Sequence, residues 1–175
     1  APADDLDGVE RRTLMFGDDD NDDEQLVPGE AQGAWDADME WMCFSNCQTL
    51  KDPDSDKWFH AMSGVHIICG WRTNVIDTDF GDDFGDYLID DGGFDSAEKV
   101  KTSWFDAAED THGDGYTAVV IGETSDMGND YLHGQGTVKA DPTHNCCYTL
   151  WSYSTCPITH FNTPLFYSSM MITTL

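Results

Sequence analysis

The chain has 175 residues, enough for one domain with a sizeable core and too few for two of ordinary size. Its 34 acidic residues against 8 basic ones give a net charge of −26, which argues against nucleic acid and anionic membrane surfaces as partners. No stretch approaches the roughly 18 apolar residues that a membrane-spanning helix needs, so no transmembrane segment is expected.

A compact fold tolerates such a charge in one of two ways. Either high ionic strength shortens the screening length, or divalent cations sit between the carboxylates. The composition therefore reads as halophilic, as cation-binding, or as both. The opening APADD resembles what remains after a signal peptidase cuts behind a small residue. Six cysteines, Cys43, Cys47, Cys69, Cys146, Cys147 and Cys156, suit the oxidising compartment outside the cell, so an extracellular or cell-surface location is expected. All six are disulfide candidates, and six thiols allow 15 complete pairings.

In chain order, residues 1–38 form an acidic N-terminal segment with one short apolar run, 13–16, suited to a strand. Within it, GDDDNDDEQLVPGE (17–30) places Asp19, Asn21, Asp23 and Glu30 at positions 1, 3, 5 and 12 of a calcium loop, where hard oxygen ligands belong. Glu24 stands where such a loop needs glycine, so loose calcium binding is expected rather than an EF-hand. No motif requires another cofactor.

Residues 39–141 alternate short apolar runs with helical stretches: EWMCFSNC, DSDKWFHAMSG, VHIICGW, FGDDFGDYLI, FDSAEKVKTSWFDAAEDTH and TAVVIG. The implied order of strand, helix, strand, helices and strand predicts an α/β core with a mainly parallel sheet flanked by helices. In the third helix, Asp95 or Ser96 suits the N-cap, and Val100, Trp104, Phe105 and Ala108 share one apolar stripe. Asp77, Asp79, Asp82, Asp83 and Asp86 form a second acidic cluster, without metal-loop spacing, that reads equally well as a solvated face. GDG (113–115) and HGQG (133–136) read as turns.

Residues 142–175 contain no Asp, Glu, Lys or Arg. Thr, Tyr, Trp, Ile and Phe make this segment a β-rich extension, with Pro157 and Pro164 confining its strands to short or edge positions. It must either fold back to complete its own sheet or pair with another chain.

DADMEWMCFSNCQTL and WFHAMSGVHIICGWRTNVIDTDFGDDFGDYL together resemble an uncharacterised family of secreted bacterial and archaeal proteins. That family's core is similar to those of caspase-like and gingipain-like cysteine peptidases, and the resemblance extends over about residues 33–140. It implies a nucleophilic cysteine after one strand and a histidine after another. Cys47 matches the cysteine. Where the histidine is expected, near residues 16–17, the chain reads MFGDDDNDDEQ and offers carboxylates, which oppose thiolate formation. His60 and His66 remain as alternative bases, although His66 lies within an apolar run and reads as a core residue.

Cys43 and Cys47 on one strand would lie about 13 Å apart, beyond mutual disulfide reach. Cys43 and Cys69 fall in runs expected to be neighbouring strands, as buried thiols or one internal bridge. Cys146, Cys147 and Cys156 leave an odd thiol in the tail, which suggests a link to Cys47 or to another subunit. The reading favoured is a secreted structural protein that self-assembles, as a homo-oligomer or polymer, into a sheath, surface layer or filament. A cysteine hydrolase using Cys47 and a monomeric salt-adapted binding module are the alternatives.

Overall fold

The computed structural model describes residues 39–52, 54–62, 64–76, 78–90, 92, 96–142, 147–154 and 168–173. It also describes the two-residue strands β1 Ala3–Asp4, β2 Glu10–Arg11, β3 Leu14–Met15 and β4 Gln25–Leu26. β1 pairs with β2 and β3 with β4, both antiparallel, and β3 falls within the run expected at 13–16. The calcium-loop residues Asp19, Asn21, Asp23 and Glu30 lie outside the described residues, as do Asp77, Cys146 and Cys156.

The main sheet has five strands in the order β5-β6-β7-β8-β9. They are β5 Trp41–Cys43, β6 Ile67–Trp71, β7 Thr117–Gly122, β8 Cys147–Ser154 and β9 Ser168–Thr173. Only β5 and β6 run parallel, and the other three neighbouring pairs are antiparallel. The sheet is therefore mixed rather than mainly parallel. The connections explain the difference. One helix, α1 Asp54–Phe59, carries the chain from β5 back to the start of β6, which makes that pair parallel. Between β6 and β7 the chain passes through two helices, α2 Phe80–Leu88 and α3 Val100–Thr111. An outward and a return helix bring it back to the end it left, so β7 re-enters antiparallel.

β6 is buried on both faces, and its continuous apolar run IICGW reflects this. Ile67, Cys69 and Trp71 share one core with Phe80 of α2 and Trp104, Phe105 and Ala108 of α3. Ile68 faces the other way, towards Trp58 and Phe59 of α1, Leu50, Met62 and Tyr148. Trp71, Phe80 and Trp104 meet with ring centroids 4.6–5.6 Å apart, Phe80 edge-on to both indoles. Helix α3 begins at Val100, later than the Asp95 or Ser96 cap expected from sequence. Lys99 is held in an extended conformation by a bridge to Tyr131, and Val100 N–H donates to the Asp130 carbonyl. The helix cannot start until that bridge ends.

The uncharged tail enters the sheet through β8, which lies between β7 and β9 and buries Tyr148, Leu150, Trp151 and Tyr153. Segments 39–141 and 142–175 thus share one sheet, and β8 finds its cover within its own molecule rather than on a neighbour. Trp151 occupies a slot left by two glycines: a Cβ on Gly122 would lie 2.7 Å from its ring, and one on Gly128 2.9 Å from it. Lys101 Nζ caps the same ring at 4.8 Å from the centroid. Among the described residues, no helix is long and apolar enough to cross a membrane.

Gly122→Ala should destabilise the fold by about 1–3 kcal/mol, because the added methyl displaces a packed indole. Denaturant unfolding followed by tryptophan fluorescence would measure this, and the Gly81→Ala control, where a Cβ meets nothing within 4 Å, should cost less.

Candidate functional site

The two ends of the sheet carry different chemistry. At the carboxyl ends of the parallel pair, the chain leaves β5 at Cys43 and turns through residues 44–50. Gln48 adopts the left-handed conformation there, with φ 58°. Its N–H donates to the Thr73 carbonyl, and its side-chain amide donates to Asn74 Oδ1 at 2.7 Å. These bonds fix the turn beside residues 73–75. Cys47 Sγ accepts from Val75 N–H and donates to Val75 C=O, each at 3.3 Å. It stands in the wall of a cleft of about 300 Å³ shared with Ser45, Asn46, Val75, Ile76 and Phe80.

His112, at the carboxyl end of α3, belongs to this end of the molecule. Its ring is buried against Trp71 at 4.6 Å, Tyr116 at 4.8 Å and Phe80 at 5.6 Å, and Phe80 also lines the Cys47 cleft. Burial pushes its pKa down, with a bond from the ring to the Ile76 backbone carbonyl acting the other way. The ring is thereby kept neutral.

At the opposite end, His66 immediately precedes β6. Its N–H donates to the Glu40 carbonyl at 2.7 Å and its carbonyl accepts from Glu123 N–H at 3.3 Å, which anchors it on both sides. Its Nδ1 meets Asp130 Oδ2 at 2.5 Å, with both side chains fully buried, and its Nε2 faces the exposed Asp141 Oδ1 at 3.4 Å. The other Asp130 oxygen accepts from Lys139 N–H at 2.8 Å. Burial drives the imidazole pKa down, but Asp130 and then Asp141 raise it by more, so His66 stands above its ordinary value. When protonated, the ring donates from both nitrogens and clasps the sheet to the 130–141 segment. With both nitrogens occupied, it is not a free base. Nearby, exposed His133 pairs with Glu40 Oε1 at 3.1 Å and packs on Trp41.

The structure therefore does not bring the sequence-derived dyad together. Cys47 lies beside Val75, past the carboxyl end of β6, whereas His66 precedes the amino end of the same strand. His60 follows the last turn of α1, which runs back towards the start of β6, and is exposed. Sequence reading missed Asp130, Asp141 and His112. The carboxylates stand 64 and 75 residues from His66, and no local pattern links them to it. Cys43, Cys47 and Cys69 are free thiols, and Cys43 lies directly opposite Cys69 in the β5/β6 register. Of the second acidic cluster, Asp79, Asp82 and Asp86 are exposed, as a solvated face requires. Among the described residues, no group of three or more His, Cys, Asp or Glu side chains is placed to hold a metal ion.

Residues 8–155 match the model of a domain of unknown function, DUF6345. An uncharacterized protein of Archaeoglobus fulgidus is 26% identical over 106 residues, which cover 58% of this chain and 40% of that protein. The matched region thus spans less than half of the relative's length. No solved structure matches.

The His66 clasp has a definite pH signature. Because its folded pKa lies above the unfolded value of 6.5, its stabilisation is fully present below that pH and is lost as pH rises through the folded value. Asp130→Ala should cost about 3–5 kcal/mol below pH 6.5 by removing one partner of a buried pair. The cost should shrink as pH rises through the folded value, where a neutral imidazole needs the partner less. Paired urea titrations of wild type and variant across that range would measure both effects.

Proposed function

The chain belongs to the DUF6345 family, and we propose that this member is a secreted structural protein that self-assembles by strand addition at β9 into an extracellular sheath, surface layer or filament. One observation carries the reading: β9 (SSMMIT) ends the described sheet, is six residues long, and contains no charged residue or proline. Natural edge strands are usually blunted by lysine, proline or bulges, and an edge without them is a template for another strand. Two-fold pairing of β9 with the β9 of a second copy would continue the sheet across the contact. Tail cysteines or cations bridging acidic faces would then link the dimers.

The net charge of −26 opposes any such contact until salt screens it. Light scattering coupled to size exclusion should find a shift from monomer to dimer and larger species as ionic strength rises. Met170→Lys and Met171→Lys, which place a cation on β9, should each weaken association about tenfold at a given salt concentration. A monomer at every ionic strength would defeat the reading.

A cysteine hydrolase with a caspase-like or gingipain-like core is a second reading. What favours it is the Cys47 cleft at the carboxyl ends of the parallel pair, where α/β sheets commonly take their ligands. His60 and His66 lie at the wrong end to serve as base, so this reading turns to His112, the neutral imidazole behind Phe80. Iodoacetamide labelling of Cys47 at neutral pH, together with peptidase activity lost in Cys47→Ser, is the outcome it requires. An unlabelled Cys47 would end it.

A further inference from the structure

Cys43 and Cys69 face each other directly across the parallel β5/β6 pair. Neighbouring strands lie about 4.7–4.9 Å apart, within the Cα separation that a disulfide spans. Both side chains project to the same face of the sheet, because Trp41, two residues before Cys43, packs on the core that holds Cys69. Their exposures differ sharply: Cys43 is exposed at the sheet edge, while Cys69 is fully buried against the α2/α3 face. Burial and the neighbouring thiol push the Cys69 pKa well up, which leaves it protonated. Cys47 cannot substitute, because its sulfur is engaged with Val75 beyond the end of β6.

We propose that Cys43 and Cys69 form a redox-active dithiol, in which exposed Cys43 reacts with a low-molecular-weight disulfide and buried Cys69 resolves the product into a cross-strand Cys43–Cys69 bridge. In the first step the Cys43 thiolate attacks one sulfur of the small disulfide, its S–S bond breaks, and one half leaves as a thiolate. In the second, the Cys69 thiol gives up its proton and attacks the Cys43 sulfur, displacing the other half as a second thiolate. The protein dithiol loses two electrons and two protons, and the reagent becomes two thiols. The bridge ties the three-residue edge strand β5 to the buried strand β6 and encloses α1 and the Cys47 turn in a covalent loop. This site is independent of pairing at β9.

The test is to treat the reduced full-length protein with oxidised glutathione and map tryptic peptides without reduction by mass spectrometry. The expected product joins peptide 13–51 to peptide 58–72 and is two hydrogens lighter than the separate peptides. Because Cys47 shares the first peptide with Cys43, variants assign the link. It should persist in Cys47→Ser and fall to background in Cys43→Ser, an exposed substitution whose circular dichroism should match that of the reduced wild type. Three results would overturn the proposal: no link in the wild type, a link that survives Cys43→Ser, or glutathione that stays on Cys43 without passing to the bridge.

Discussion

The fold depends most on the register between β7 and β8. Six consecutive pairs, from Thr117↔Ser154 to Gly122↔Thr149, join the middle strand of the sheet to a strand supplied by the uncharged tail. β7 lies between β6 and β8, so both helical layers rest on a surface that this pairing completes. Its precision is visible at Trp151, whose indole lies where any side chain on Gly122 or Gly128 would be. A slip of one residue would turn Trp151 and Tyr153 to the other face and Tyr148 and Leu150 away from α1.

This register also resolves the apparent conflict in composition. An acidic chain keeps its carboxylates in water because the strands that build the core carry almost none. β6, β7 and β8 contain no charged residue over IICGW, TAVVIG and CYTLWSYS. The buried exceptions gather at one end of the sheet, where Asp130 meets His66 and a backbone N–H. A fully buried carboxylate requires such compensation, and a protonated imidazole supplies it best. The opposite end holds the Cys47 cleft and the low-pKa ring of His112.

The two edges of the described sheet then stand in contrast. β5 is short, parallel to its neighbour, and bordered by a pair of thiols in register. β9 is twice as long and antiparallel, and it presents an uncharged ladder. The first suits covalent reinforcement from within, the second non-covalent extension from without. Assembly through β9 and redox chemistry at Cys43 and Cys69 are therefore physically separate proposals on opposite sides of one sheet.

The sequence by itself determined which segments become strands and helices. The runs WMC, IICGW and TAVVIG, the helical stretch at 80–88 and the stripe of Val100, Trp104, Phe105 and Ala108 all lie where their local pattern placed them. It also marked 142–175 as a segment needing cover, and His66 as an apolar-run residue. Periodicity and composition are nearest-neighbour properties, so they are legible in a short window. Tertiary structure alone decided the direction of the strands, because that depends on how the helices of each connection pack back against the sheet. It decided the pairing of His66 with Asp130 and Asp141, the distance of His66 from Cys47, and the start of α3 at Val100 rather than at its best capping residue. Each of these is a contact between segments remote in sequence, formed only when the sheet closes, and no local preference records it.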